Sequence, residues 1–303
     1  MLTRRQLLAN CALLAAFSPL DNITKLLAAE PDLLNALSKS PLKRKFNIGA
    51  CDWSIGKSSD IGAFELAKQI GLDGLMVNMG SEKNNMHLRS PSLQQSYLET
   101  SRKTGIRIAS LALGELNNTP YKSDPRTEEW VWDSIDVAKA LGVSVILLAF
   151  FNKNDLRNDE PGKKEVIRRL KRVAPKAEEK GIVLGIESYL NAAEHLQIIE
   201  KVGSKNIKAY IDFRNTADAG YDVLKEVKQL GRNNICELHI KENGFLLGKG
   251  TLPWAKIRDL IYEMGYYGDG WMQIEWAMPE KASVVESYKY NLQFLRGLFD
   301  KTI

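Results

Sequence analysis

From residue 46 onward the chain repeats one unit, a short apolar run followed by a longer segment of helical period. The runs cover 46–55, 72–79, 107–113, 143–151, 182–189, 207–213, 235–240 and 270–276. Between and after them, 63–70, 92–104, 127–141, 163–180, 193–202, 221–230, 254–264 and 281–298 have helical spacing. The first run starts at 46 and the last at 270, so seven intervals average 32 residues, enough for one strand, one helix and two loops. Strict alternation of this kind predicts a parallel sheet. Gly71, Gly105, Gly142, Gly181 and Gly265 fall just past the helical segments, where a residue without Cβ takes the left-handed cap. An open doubly wound sheet would place a glycine-rich phosphate turn after its first strand, but Cys51-Asp52-Trp53-Ser54-Ile55-Gly56 has no such pattern. The expected fold class is therefore α/β, a (β/α)8 TIM barrel in one domain over 46–303. A chain of 303 residues is the usual length for it.

The first residues are a different text. Thr3-Arg4-Arg5-Gln6-Leu7-Leu8 precedes a short apolar segment through Phe17, with no acidic residue before Asp21. A twin-arginine pair in this setting reads as a bacterial export signal over 1–29, with a linker over 30–45, and predicts a periplasmic or exported protein. The alternative is an amphipathic N-terminal helix. Asn10 before Cys11 departs from a lipid-attachment site. The twin-arginine route carries folded proteins, which suits one that takes up a metal or cofactor before export. No apolar stretch reaches the roughly 18 residues of a spanning helix, so stable membrane insertion is not expected. A net charge of +5 without a long basic run gives no reason to expect a nucleic-acid partner. Past the leader only Cys51 and Cys236 remain, both in apolar runs, and they read as two buried thiols.

Catalysis in such a barrel sits at the C-terminal ends of the strands, so polar residues that close apolar runs carry the information. Four consecutive runs have one: Glu187 in Gly185-Ile186-Glu187-Ser188, Asp212 in Tyr210-Ile211-Asp212-Phe213, His239 in Leu238-His239-Ile240-Lys241, and Glu275 in Gln273-Ile274-Glu275-Trp276. Converging carboxylates repel one another unless a cation joins them. Three oxygen donors and one imidazole favour Mn2+ or Mg2+, with Zn2+ or Co2+ behind them, and leave positions for a substrate's oxygens. Trp53, Tyr189, Trp254 and Trp276 lie at or near strand ends, where rings could stack on the apolar face of a sugar.

At these residues the chain resembles the xylose isomerase-like TIM barrel superfamily of sugar and sugar-phosphate isomerases and epimerases, over 46 to about 298. The resemblance implies one divalent metal ion held by Glu187, Asp212, His239 and Glu275. His239-Ile240-Lys241-Glu242 and the Gly248-Lys249-Gly250 turn are similar to the family's His-x-Lys segment and Gly-x-Gly turn. The implied chemistry is proton transfer next to a carbonyl through an enediolate, with Glu187 and Glu275 as acid/base groups and Lys241 polarising or protonating the substrate. Asn215 and Lys249 complete the expected substrate contacts. It also allows copies to pair through the outer helices as a homo-oligomer.

Departures narrow the field. Ketose 3-epimerases carry Glu two residues after the metal His and Arg six after it, where this chain has Lys241 and Phe245; their His three residues after the metal Asp is Asn215 here. The His-x-Lys segment is closer to branches acting on keto-inositols or other oxidised sugars. The resemblance thus points to an exported sugar isomerase or epimerase acting on an unphosphorylated sugar, keto-sugar or cyclitol. The same site could serve a lyase or dehydratase on a 3-keto-glycoside or keto-inositol, or a carbohydrate-binding protein without turnover. With three histidines in all, the trinuclear zinc site of the superfamily's DNA-repair branch cannot be built. Arg214 is expected in an outer-face salt bridge, and His195 on a helix surface.

Overall fold

The eight apolar runs form strands that close on themselves in sequence order, each parallel to the next and the last to the first. This geometry comes from a computed structural model that describes residues 46–266 and 270–300. The expected signal at 1–29 and linker at 30–45 lie outside the described residues. The strands are β1 (Asn47–Cys51), β2 (Gly74–Asn78), β3 (Arg107–Leu113), β4 (Val145–Phe150), β5 (Val183–Ser188), β6 (Ile207–Asp212), β7 (Ile235–Lys241) and β8 (Trp271–Glu275). The surrounding helices among the described residues are α1 (Ala63–Ile70), α2 (Pro91–Thr104), α3 (Arg126–Leu141), α4 (Glu160–Lys180), α5 (Ala192–Val202), α6 (Phe213–Asp218), α7 (Val223–Leu230), α8 (Trp254–Glu263) and α9 (Val284–Phe299). No helix among them is long and apolar enough to cross a membrane.

Two departures from the sequence reading have local causes. The first strand stops at Cys51 because Asp52–Ile55 turns into a 3-10 helix, held where the Ser54 hydroxyl donates to the carbonyls of Cys51 at 2.9 Å and Ile274 at 3.2 Å. Sixth in order, the connection holds two helices rather than one, since Asp212 caps the short α6 by accepting from the Arg214 and Asn215 amides.

The strands sort their side chains with period two. On β7 that puts Glu237, His239 and Lys241 on one face, while Cys51, Met76, Ala112, Leu147 and Ala149 from β1 to β4 form an apolar layer with Tyr210. The charged groups at the barrel mouth consequently gather on the β5–β8 side, with a mainly apolar layer on the other. Below the mouth, the buried Glu237 accepts from Gln273 Nε2 at 2.6 Å and Ser110 Oγ at 3.0 Å. Gly49 lies opposite Gln273 in register, and a Cβ there would meet the Gln273 side chain and come 2.9 Å from the Gly74 carbonyl oxygen. Gly49→Ala is therefore expected to lower stability by about 1–3 kcal/mol through overpacking. Urea unfolding reads it; a midpoint equal to wild type would contradict the close approach.

Candidate active site

Four adjacent strands deliver Glu187, Asp212, His239 and Glu275 to the C-terminal mouth at matched heights, with Asp212 paired to His239 and Lys241 to Glu275 in the strand register. All four are buried, and one ligand atom from each lies within 4.8 Å of the others. Every one is oriented by a neighbour. Asp212 spends Oδ1 on the α6 amides of Arg214 and Asn215 at 2.7 and 2.9 Å, and its buried Oδ2 has no hydrogen-bond donor. Glu275 accepts from Trp53 Nε1 at 2.7 Å through Oε1 and from Lys241 Nζ at 3.0 Å through Oε2. Glu187 Oε1 lies 2.8 Å from His239 Nδ1 and accepts from Asn215 Nδ2 at 3.4 Å. On its far side, His239 Nε2 meets the Cys51 sulfur at 3.3 Å. A metal ion would take the place of the proton between Nδ1 and Glu187, with the other proton kept on Nε2 beside Cys51.

Charge is the organising feature. Burial raises Asp212 to about 6 in spite of Lys241 nearby. The same burial would raise Glu275, but Lys241, His239 and the Trp53 N–H outweigh it and hold this carboxyl below its ordinary value. For His239, burial opposes the charge, yet Cys51, Glu187 and Glu275 keep it well above the usual histidine range. Lys241 is likewise disfavoured by burial and held above the ordinary lysine value by Glu275, Asp212 and Glu187. Three carboxylates against one ammonium leave two negative charges when His239 is neutral, and one divalent cation would bring the sum to zero. With a donor-free Asp212 oxygen and Nδ1 facing inward, these residues fit a divalent ion.

A cavity of about 470 Å3 opens from this cluster. Trp53, Asn215 and Trp276 line it, as do Glu187 and Glu275. Trp276 is 47% exposed and follows Glu275 with φ of 47°, a left-handed conformation uncommon for a bulky side chain, and it stands at the mouth. Trp53 faces the cavity but also positions Glu275, a role that sequence spacing did not disclose because the two residues lie 222 positions apart.

The structure places three other expected contacts away from the cavity lining. Trp254 does not line the cavity: it is 4% exposed, edge-on to Phe213 and Phe294, and donates Nε1–H to Glu242 at 2.9 Å. Lys249 is exposed on its loop and away from the cavity lining. Tyr189 also stays outside the lining, edge-on to Phe151 at 4.8 Å and covered by the Arg157 guanidinium at 4.5 Å. The Gly-x-Gly turn exists for packing, since Cβ atoms would run into Phe294 at Gly248 and into the Glu242 carboxylate at Gly250. Arg214 pairs with Asp218 as expected. His195, expected on a surface, is buried and meets Ser188 Oγ and the Asn191 carbonyl oxygen, both at 3.0 Å. Its spacing with Ala192, Ile198 and Val202 is the signal that would have placed it inward. Cys51 and Cys236 are both free thiols.

The barrel and its mouth define a class, the (β/α)8 proteins with a candidate metal centre of three carboxylates and one imidazole at the strand ends. The chain belongs to the xylose isomerase-like TIM barrel family, whose model matches residues 64–298. A 2-epi-5-epi-valiolone 7-phosphate 2-epimerase from an Actinoplanes species is 26% identical over 267 residues, covering 81% of this chain and 98% of that protein. Among solved structures, a D-psicose 3-epimerase crystallised in the presence of D-fructose shares the fold with a TM-score of 0.71 at 17% identity, over 84% of this chain and 100% of that one. A 3-keto-D-glucoside 4-epimerase from E. coli gives 0.68 at 16% identity, over 84% of this chain and 100% of that one.

Asp52 lies behind the cavity and ties together two of its lining residues, Ser59 and Asn78. It is buried, and its Oδ2 accepts from the amides of Asn78 at 2.9 Å and Ser59 at 3.1 Å, joining the loop after β1 to the end of β2. Burial pushes its carboxyl up to about 7 despite those hydrogen bonds. A carboxyl raised on folding stabilises the protein most below its unfolded value near 4 and loses that contribution as pH rises through about 7. Wild type should therefore lose melting temperature relative to Asp52→Asn as pH goes from 6 to 8.5. A difference between the two proteins that stays constant with pH would contradict this.

Proposed function

We propose that this protein is an exported, divalent-metal-dependent isomerase or epimerase that moves a proton next to the carbonyl of an unphosphorylated sugar, keto-sugar or cyclitol. The observation that carries the reading is the convergence of Glu187, Asp212, His239 and Glu275 beside the partly buried Lys241, next to an open cavity that Glu187 and Glu275 line. Family membership and the epimerase relative support the reaction class. Export rests on the twin-arginine leader.

The ion, Mn2+ or Mg2+ by the oxygen-rich donor set, would act as a Lewis acid on the carbonyl and a neighbouring hydroxyl. The chain's own groups do the rest. Glu187 and Glu275 reach the cavity from β5 and β8, with β6 and β7 between them. One takes the proton and the other returns it, which inverts the carbon if they act on opposite faces. Trp53 fixes the Glu275 carboxylate, and Asn215 holds Glu187. Lys241, kept as an ammonium by its neighbours, donates a hydrogen bond where negative charge develops on the substrate oxygen. The four retained ligands favour turnover over sugar binding alone.

Proton exchange in heavy water, followed by NMR on metal-loaded protein with unphosphorylated ketoses, 3-keto-glucosides and inososes, tests this reading. Wild type is expected to place deuterium on a carbon next to a carbonyl. Glu187→Gln should slow that exchange about 10²–10⁴-fold, the usual contribution of a positioned acid/base group, with little change in melting temperature. An unaltered rate in the variant would remove Glu187 from the reaction. The structure of the product separates epimerisation from elimination by a lyase.

A further inference from the structure

His239 has a second coordinating face. Its Nδ1 looks toward Glu187 and Glu275, at 2.8 and 3.7 Å, while Nε2 on the opposite side of the ring lies 3.3 Å from the Cys51 sulfur. One ligand atom each from Cys51, His239 and Glu275 lies within 4.8 Å of the others, and all three residues are buried. The spacing of Cys51 and His239 is close to the reach of one small cation: a tetrahedral ion with bonds of about 2.3 Å to sulfur and about 2.0 Å to nitrogen holds those atoms about 3.5 Å apart. The surroundings are soft. Met76 pairs with Cys51 in the β1–β2 register, and Leu147, Ala149 and Tyr210 belong to the same layer, in contrast to the carboxylates gathered at Nδ1.

We propose that Cys51, Nε2 of His239 and Glu275 form a second, inhibitory metal site, selective for thiophilic divalent ions of the zinc and cadmium class, whose occupation excludes an ion from the oxygen-rich site. The exclusion, though not the site, rests on the metal-dependent reading above. Donor identity sets the selectivity: thiolate and imidazole favour Zn2+ or Cd2+, whereas Mn2+ and Mg2+ prefer the three carboxylates. Burial holds the free Cys51 thiol above its ordinary value, so only an ion that bonds strongly to sulfur draws its proton off, and that proton leaves to solvent. One thiolate and one carboxylate, with a neutral imidazole, balance the charge of a divalent ion. The exclusion follows from the ring itself, because a neutral imidazole has one lone pair and one N–H. An ion on Nε2 leaves the proton on Nδ1, where Glu187 Oε1 accepts it at 2.8 Å. An ion on Nδ1 leaves the proton on Nε2, beside the Cys51 sulfur. Glu275 is common to both donor sets. The two sites are therefore alternatives, and a thiophilic ion at Cys51 displaces the ion that the reaction needs.

Titration of the Mn2+-loaded full chain with Cd2+ tests both parts. The Cys11→Ala/Cys236→Ala variant leaves Cys51 as the sole thiol of the chain's three cysteines. In this protein Cd2+ should raise an ultraviolet sulfur-to-cadmium charge-transfer band that saturates at one ion per chain. One equivalent of Mn2+ should be released alongside it, read by the paramagnetic resonance of the free ion. Adding Cys51→Ala should abolish the band and weaken Cd2+ by more than the roughly 10–100-fold typical of losing an outer-shell partner. Mn2+ should then stay bound at the Cd2+ concentration that saturates the sole-thiol protein, which also shows that the variant is folded. If the sole-thiol protein fails to fold, wild type against Cys51→Ala reads the same band as a difference. No band in the sole-thiol protein, or a wild-type band unchanged by Cys51→Ala, would overturn the site, and a band with Mn2+ retained would overturn the exclusion. Failure of the metal-dependent reading looks different. A band in a protein that never takes up Mn2+ leaves the Cys51 site standing and sinks the oxygen-rich one, whereas Mn2+ binding without a band does the reverse.

Discussion

Three buried carboxylates at one barrel mouth face a single ammonium, and the rest of the site depends on how that imbalance is met. Lys241 lies 3.0 Å from Glu275 and 3.6 Å from Asp212, so its charge is shared rather than spent on one partner. His239 stands between Glu187 and Glu275 at 2.8 and 3.7 Å. In a low-dielectric setting such an arrangement is costly unless further positive charge arrives. The same imbalance that holds Lys241 above the ordinary lysine value would draw in a divalent ion.

The barrel supports this with two unlike halves. Strands β5 to β8 end in the charged cluster, while β1 to β4 contribute small apolar residues inside and polar loops above. Interlocks cross the seam between halves: Trp53 from the β1 turn holds Glu275 on β8, and Tyr288 of α9 donates to the Ser54 hydroxyl at 2.8 Å. Glu242 anchors the loop ahead of α8 by accepting from Trp254 and the Leu252 amide. These contacts fix Glu275 against the turn after β1 and hold the loop ahead of α8 in place.

Much of this was legible in the sequence, for a physical reason. Strand ends are announced locally, by an apolar run closed by one polar residue, and helix ends by glycine; hence the barrel, the convergence of four strand-end residues, and the place of Asn215 and Trp276 beside the cavity could be read in advance. What could not be read depends on contacts between distant positions. Trp254 sits beside the glycine turn in sequence but folds under it, because Glu242 captures its N–H. Asp52 looks like an ordinary turn residue until the Asn78 and Ser59 amides close on it. Glu237, an acid inside an otherwise apolar run, was visible as a letter, yet its partners Ser110 and Gln273 come from other strands. His195 is different, since its helical spacing already placed it on the inward face.

The central claim is that these strand ends hold one divalent cation. Crystals of the Mn2+-loaded protein, with anomalous scattering recorded at the manganese edge, test it most directly. The account predicts a single strong peak among Glu187, Asp212, Nδ1 of His239 and Glu275, on the side of the imidazole away from Cys51. A peak on the Cys51 side of His239, or none at the strand ends, would contradict it.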